Sequence, residues 1–228
     1  MAPFGCSGEP VVIFDCNGVL VDGEQISAAV AAEVFTRAGF PMTPGLVARF
    51  FTGRRATDMF AEVETATGRR LPANFPAVLA AATLRRIREE LRATPHAAYA
   101  LTWLRGPKCV ASSTALDRIR VSLETAGLLR FFEPNLFSAH DVPRGKPAPD
   151  LFLHVADKMG IQASDCIVVE DSPVGVAAAV AAGMTPIGFV GGSHVHPQLP
   201  AQLAAAGASV VIADMRVLKS TVVALRGW

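Results

Sequence analysis

The chain has 228 residues, enough for one large domain or for a core with a smaller insertion, and either can bury a substantial apolar interior. Charged residues make up 18% and apolar residues 51%, the net charge is +1, and the doublets Arg54-Arg55, Arg69-Arg70 and Arg85-Arg86 stay apart instead of forming one basic tract. That balance argues against a nucleic-acid partner, and no run reaches the roughly eighteen apolar residues of a membrane span.

The N-terminal MAPFGCSGEP has neither the basic start nor the apolar stretch of a signal peptide, so a cytoplasmic protein is expected. Val11, Val12, Ile13 and Phe14 form a continuous apolar run, as in a strand buried on both faces of a parallel sheet. The run ends on Asp15, Cys16, Asn17 and Gly18. In open α/β sheets ligands gather past the carboxyl ends of the strands, which marks Asp15 as a candidate for chemistry; the alternative is an Asp and an Asn shaping the Asn17-Gly18 turn.

Residues 24–38 carry Ile26, Val30, Val34 and Phe35 at helical spacing, stopped by Gly39 and Pro41. Helices are then expected over residues 44–51, with Thr43 as N-cap and Pro44 at the first helical position, over 56–67 and over 75–91. No strand signal appears in this stretch. Because strands and helices alternate afterwards, it reads as a helical insertion between the first and second strands, with residues 1–23 and 94–228 as the core and 24–93 as the insert.

Later strands are expected at 108–111, 135–138, 166–169, 185–190 and 208–212, interleaved with helices at 116–129, 150–159 and 173–182 and after the last two strands. This alternation predicts an α/β fold with a doubly wound parallel sheet. Cys6, Cys16, Cys109 and Cys166 lack metal-ligand spacing and are expected to be reduced and mostly buried. His194 and His196 form an H-x-H pair without a third ligand nearby, which reads as an exposed loop.

In a parallel sheet Asp15, Ser112 and Glu170-Asp171 emerge along one rim, and the loop carrying Lys146 can reach it. Such a set suits phosphoryl transfer. A carboxylate nucleophile forms an acyl phosphate, a hard divalent cation such as Mg²⁺ offsets charge, and a hydroxyl and an ammonium bind phosphate oxygens.

With FDCNGVLVDGE, the strand ending on Ser112, GKPAPD around Lys146 and VVEDSPVGVAAA around Asp171 present in order, the chain resembles the haloacid dehalogenase-like hydrolase superfamily. It is most similar to the subgroup with a helical cap, which holds phosphoglycolate phosphatases, β-phosphoglucomutases and sugar-phosphate phosphatases. The resemblance implies a Rossmann-like core and a cap over residues 24–93. It implies Asp15 as nucleophile and an Mg²⁺ held by Asp15, the main-chain carbonyl of Asn17, and Asp171, with Glu170 binding directly or through water. Ser112 and Lys146 would sit on the phosphate. Substrate contacts are expected from Ser113 and from Gly53 and Arg54 of the Thr52-Gly53-Arg54-Arg55 stretch, and Glu24 either touches substrate or merely begins a helix.

One position departs from the pattern. The family's phosphatases carry an Asp two residues after the nucleophile, as general acid and base; here it is Asn17, which cannot exchange a proton at neutral pH. The expectation is a phosphatase of a small phosphorylated metabolite, a sugar phosphate or sugar-acid phosphate, with this step impaired, acting as a monomer or weak homodimer. The alternative is a catalytically deficient protein that keeps metal and phosphate binding. Residues 25–32 hold no His, which argues against a mutase, and the Glu170-Asp171 pair argues against a dehalogenase.

Overall fold

The computed structural model describes residues 10–226. Six strands, β1 (Val11–Phe14), β2 (Lys108–Ser112), β3 (Leu136–Ser138), β4 (Cys166–Glu170), β5 (Thr185–Phe189) and β6 (Val210–Ile212), pair in the order β3-β2-β1-β4-β5-β6. Every pairing is parallel, with Ile13 opposite Cys109 on one side and Val168 on the other. The order reverses direction at β1, and the crevice this opens at the carboxyl ends is where doubly wound sheets bind ligands.

Both faces of the sheet are covered. Val12 and Phe14 of β1 point into one apolar cluster and Val11 and Ile13 into the other, so the unbroken apolar run follows from burial on two sides. Of the ten helices among the described residues, the first five lie between β1 and β2, and the first four of these, α1 (Glu24–Arg37), α2 (Pro44–Phe51), α3 (Ala56–Thr67) and α4 (Phe75–Glu90), are the helices expected in the insertion. They enclose a separate cluster around Val30, Phe35, Met59 and Phe75. Thr43 caps α2 by accepting from Leu46 N at 3.2 Å, with Pro44 at the start of the helix.

The two linkers run side by side: Asp22 N donates to the carbonyl of Arg92 and Thr94 N to that of Leu20, both at 3.0 Å. Ile87 and the C-cap Leu91 belong to the sheet's cluster, so the end of α4 is rooted in the core.

The remaining helices are α5 (Ala97–Trp103), α6 (Leu116–Thr125), α7 (Asp150–Met159), α8 (Pro173–Ala181), α9 (Leu199–Ala205) and α10 (Leu218–Leu225). Two differ from expectation. Helix α5 has only seven residues, too few for a period to emerge from AAYALTW. Helix α6 stops four residues early because Gly127 takes a left-handed φ of 69°, after which Leu129–Phe131 forms a 3-10 turn. Cys16, Cys109 and Cys166 are free and buried; the expectation for Cys6 lies outside the described residues. Among the described residues no helix is long and apolar enough to cross a membrane.

Candidate active site

Strand ends place the polar groups. Asp15 follows β1, Ser112 ends β2, and Glu170 ends β4 with Asp171 just beyond; all four are buried. Lys146, in the loop before α7, is 2% exposed, and its Nζ donates to Asp15 Oδ1 at 2.6 Å, Glu170 Oε1 at 2.5 Å and the Ala111 carbonyl at 3.3 Å. Burial works against its charge, but Asp15 and Glu170 more than offset this and hold its pKa above the usual lysine value. The sequence reading expects Lys146 on the phosphate; the structure brings its ammonium onto Asp15 and Glu170.

Glu170, expected to reach the cation directly or through water, has hydrogen-bond donors on both carboxylate oxygens. Oε1 takes Lys146, and Oε2 accepts from Ser172 N at 3.1 Å and from Ser172 Oγ at 2.9 Å. Its oxygens are occupied in fixing Lys146 and the start of α8. Ser172 in turn caps that helix by accepting from Gly175 N at 3.1 Å, and a Cβ at Gly175 would overlap the Glu170 carboxyl.

Asp171 is held differently. Its Oδ2 is buried and has no hydrogen-bond partner, while His194 Nε2 lies 2.9 Å away without hydrogen-bond alignment. Burial pushes the Asp171 carboxyl up to about 6 against the pull of His194, and it pushes Asp15 up to about 7 against the pull of Lys146. Gly18, at φ 88°, passes so close to Asp171 that any Cβ would collide with the carboxylate. Sequence reasoning missed His194, which it placed in an exposed loop. The loop is pinned from a distance, by Ser193 N and Oγ donating to Asp22 Oδ1 and Gln25 Nε2 donating to the Ser193 carbonyl, and no local pattern carries such a signal. His196 is exposed, as expected.

Asn17 Nδ2 donates to Glu24 Oε1 at 2.5 Å, so the first residue of α1 is part of the site and not only a helix start. Burial, then the charge of Asp171, raises the Glu24 carboxyl to about 7.

A cavity of about 340 Å³ opens above these groups, between the strand ends and α1 to α4. Asp15, Asn17, Glu24, Ser112 and Arg118 line it. The loop between α2 and α3 closes one side, and Gly53 and Arg54 line the cavity there. Ser113 Oγ donates to the Gly53 carbonyl at 2.7 Å and is thereby engaged in docking this loop, although it too lines the cavity. Gly53, at φ 78°, approaches the core so closely that a Cβ would lie 2.6 Å from Ser172 Oγ. Arg54 is paired with Glu62 at 2.6 Å. Its neighbour Arg55 makes the bridge to the core, with Nη1 3.3 to 3.5 Å from the carbonyls of Ala139, Val142 and Pro143 and Nε 3.0 Å from Asp58.

Carboxylates, a buried lysine and a hydroxyl gather at the carboxyl edge of a doubly wound sheet, where α/β enzymes place their active sites. Residues 10–183 match the sequence model of the haloacid dehalogenase-like hydrolase family. The 6-phosphogluconate phosphatase of Escherichia coli (strain K12) is 31% identical over 193 residues, which cover 82% of this chain and 87% of that one. A haloacid dehalogenase-like protein of unknown function from Agrobacterium tumefaciens superposes with a TM-score of 0.79 at 35% identity, covering 95% of this chain and 99% of that chain. A family hydrolase from Deinococcus radiodurans, solved with bound phosphate and sodium, superposes with a TM-score of 0.72 at 32% identity, covering 97% of each chain. The chain belongs to the haloacid dehalogenase-like hydrolase family.

Proposed function

We propose that this protein is a Mg²⁺-dependent phosphatase of a small phosphorylated metabolite, a sugar phosphate or sugar-acid phosphate, acting through an aspartyl-phosphate on Asp15. The observation that carries the reading is Asp15 itself: a buried carboxylate at the cavity floor, aimed by a lysine that a second carboxylate fixes in turn. The 6-phosphogluconate phosphatase relative supports the substrate class.

A hard cation fits the residues present. Among the described residues no three His, Cys, Asp or Glu side chains cluster as a metal site, so side chains alone do not build one. Two carboxylates supplemented by a main-chain carbonyl and water suit Mg²⁺, which keeps several waters. Asp15, Asp171, whose Oδ2 accepts no hydrogen bond, and the carbonyl of Asn17 would hold it. When bound, it offsets the negative charge of carboxylate and phosphate as they approach.

The residues of the chain divide the remaining work. Lys146 orients Asp15 for attack on phosphorus, forming the Asp15–phosphorus bond as the bond to the ester oxygen breaks. Ser112 lines the cavity beside Asp15 and donates to a phosphoryl oxygen. Water then attacks the phosphorus, releasing phosphate and restoring the carboxylate. The ester oxygen leaves as an alkoxide that needs a proton, and Asn17 cannot supply one; its amide is tied to Glu24. Residues 24–93 act as the cap that selects the substrate.

Phosphate release from a panel of sugar and sugar-acid phosphates, with and without MgCl₂, tests this. Asn17→Asp is expected to raise turnover by about 10² to 10⁴. The second reading, a binder that retains the cation and phosphate but not turnover, draws on Asn17 as well. It prevails if Asn17→Asp stays inactive on every ester while binding Mg²⁺.

A further inference from the structure

The cavity presents three arginines, Arg54, Arg55 and Arg118, and two are already neutralised, by Glu62 and Asp58. Arg118 is different. It rises half-buried from the first turn of α6, and among the described residues the one hydrogen bond of its guanidinium runs from Nη2 to Ser27 Oγ, at 2.6 Å. No carboxylate closes an ion pair with it. Glu24 is the carboxylate that acts on it most strongly, but that side chain is held by Asn17.

Ser27 is itself fixed, since its hydroxyl donates to the Gly23 carbonyl at 2.8 Å. The contact joins a core helix to the first helix of the insertion, so the guanidinium is held before any ligand arrives, and little side-chain freedom is left to lose on binding. With Nη2 engaged, Nε and Nη1 remain as donors, and a planar fork of this kind suits anionic oxygens. Lys146 cannot serve the same purpose, because Asp15 and Glu170 both hold it. A half-buried cation with no counter-ion, in a cavity that also holds the nucleophile, is most stable when a ligand brings the missing charge.

We propose that Arg118 is a specificity-determining residue that binds a second anionic group, a carboxylate or a second phosphate, at the end of the substrate remote from the scissile phosphate. The site thereby selects sugar-acid phosphates or sugar bisphosphates over neutral sugar phosphates. A cavity of about 340 Å³ lies in the range that encloses such small ligands. This inference rests on the phosphatase reading for its kinetic arm only, because binding reports on Arg118 whether or not turnover follows.

The test compares three ligands in MgCl₂: a hexonate 6-phosphate, a hexose 1,6-bisphosphate and a hexose 6-phosphate. Dissociation constants come from calorimetry and kcat/KM from phosphate release, for the wild type, Arg118→Gln, Arg118→Lys and Ser27→Ala. A charge-assisted contact predicts that the wild type favours one of the doubly anionic ligands by about tenfold or more over the neutral sugar phosphate. The better of the two tells carboxylate from phosphate. That ratio is expected to collapse in Arg118→Gln, to survive in part in Arg118→Lys, and to shrink in Ser27→Ala, where the cation remains but its anchor is gone. Equal affinity of the wild type for all three overturns the inference, as does a ratio unchanged in a folded Arg118→Gln. Selective binding with no turnover of any ester, by the wild type or by Asn17→Asp, upholds Arg118 and overturns the phosphatase reading, so the two failures are distinguishable.

Discussion

Lys146 shows how one side chain can set a whole site. Its ammonium has no exposed surface and bridges Asp15 and Glu170, and removing one partner from a buried ionic network leaves uncompensated charge. Lys146→Met is therefore expected to lower stability by about 3 to 5 kcal/mol in urea unfolding and to abolish turnover. A change below about 1 kcal/mol would mean that the two carboxylates do not depend on it. From sequence, Asp15, Lys146 and Asp171 were legible because each sits at a strand end or a turn with a characteristic neighbour. The division of labour between Glu170 and Asp171 was not legible. It depends on Ser172 and Lys146 donating to one carboxylate and on the other facing His194 without a hydrogen bond at Oδ2, and spacing along the chain carries neither.

Among the elements, the insertion of α1 to α4 stands on its own aromatic centre. Phe35 is fully buried, with its ring 4.6 Å from that of Phe75 and 6.3 Å from that of Phe60, and Phe60 meets Phe75 edge-on at 5.4 Å. Such rings contribute through area and through their edge geometry. Phe35→Ala should cost about 3 to 5 kcal/mol in denaturant unfolding, and a cost under about 1 kcal/mol would show that this cluster does not hold the helices together. All four helices could be read from periodicity and from Gly and Pro breaks. Helix α5 was invisible for want of length, and α6 was overextended because Leu128 and Leu129 continue an apolar pattern that Gly127 interrupts geometrically.

At the scale of the molecule, topology explains what the sequence could not place. The alternation of strands and helices predicts a parallel sheet, but the order β3-β2-β1-β4-β5-β6 is what brings residues 15, 112, 146 and 171 to one crevice. The same packing adds three contacts whose partners could not be read from the sequence. Glu24 reaches Asn17, His194 is carried in by a loop anchored to Asp22, and Arg55 ties the α2 to α3 loop to main-chain carbonyls of the core. The last two are contacts between residues far apart in the chain, and all three gather where the helical insertion meets the core.

The central claim is a transient bond between Asp15 and phosphorus. Turnover of a substrate ester quenched in acid and reduced with borohydride converts an acyl phosphate to homoserine, and peptide mass spectrometry locates the altered residue. The account predicts homoserine at position 15, dependent on substrate and absent in Asp15→Asn. Sustained phosphate release with residue 15 still aspartate in every quenched sample, or with homoserine at another carboxylate, would contradict it.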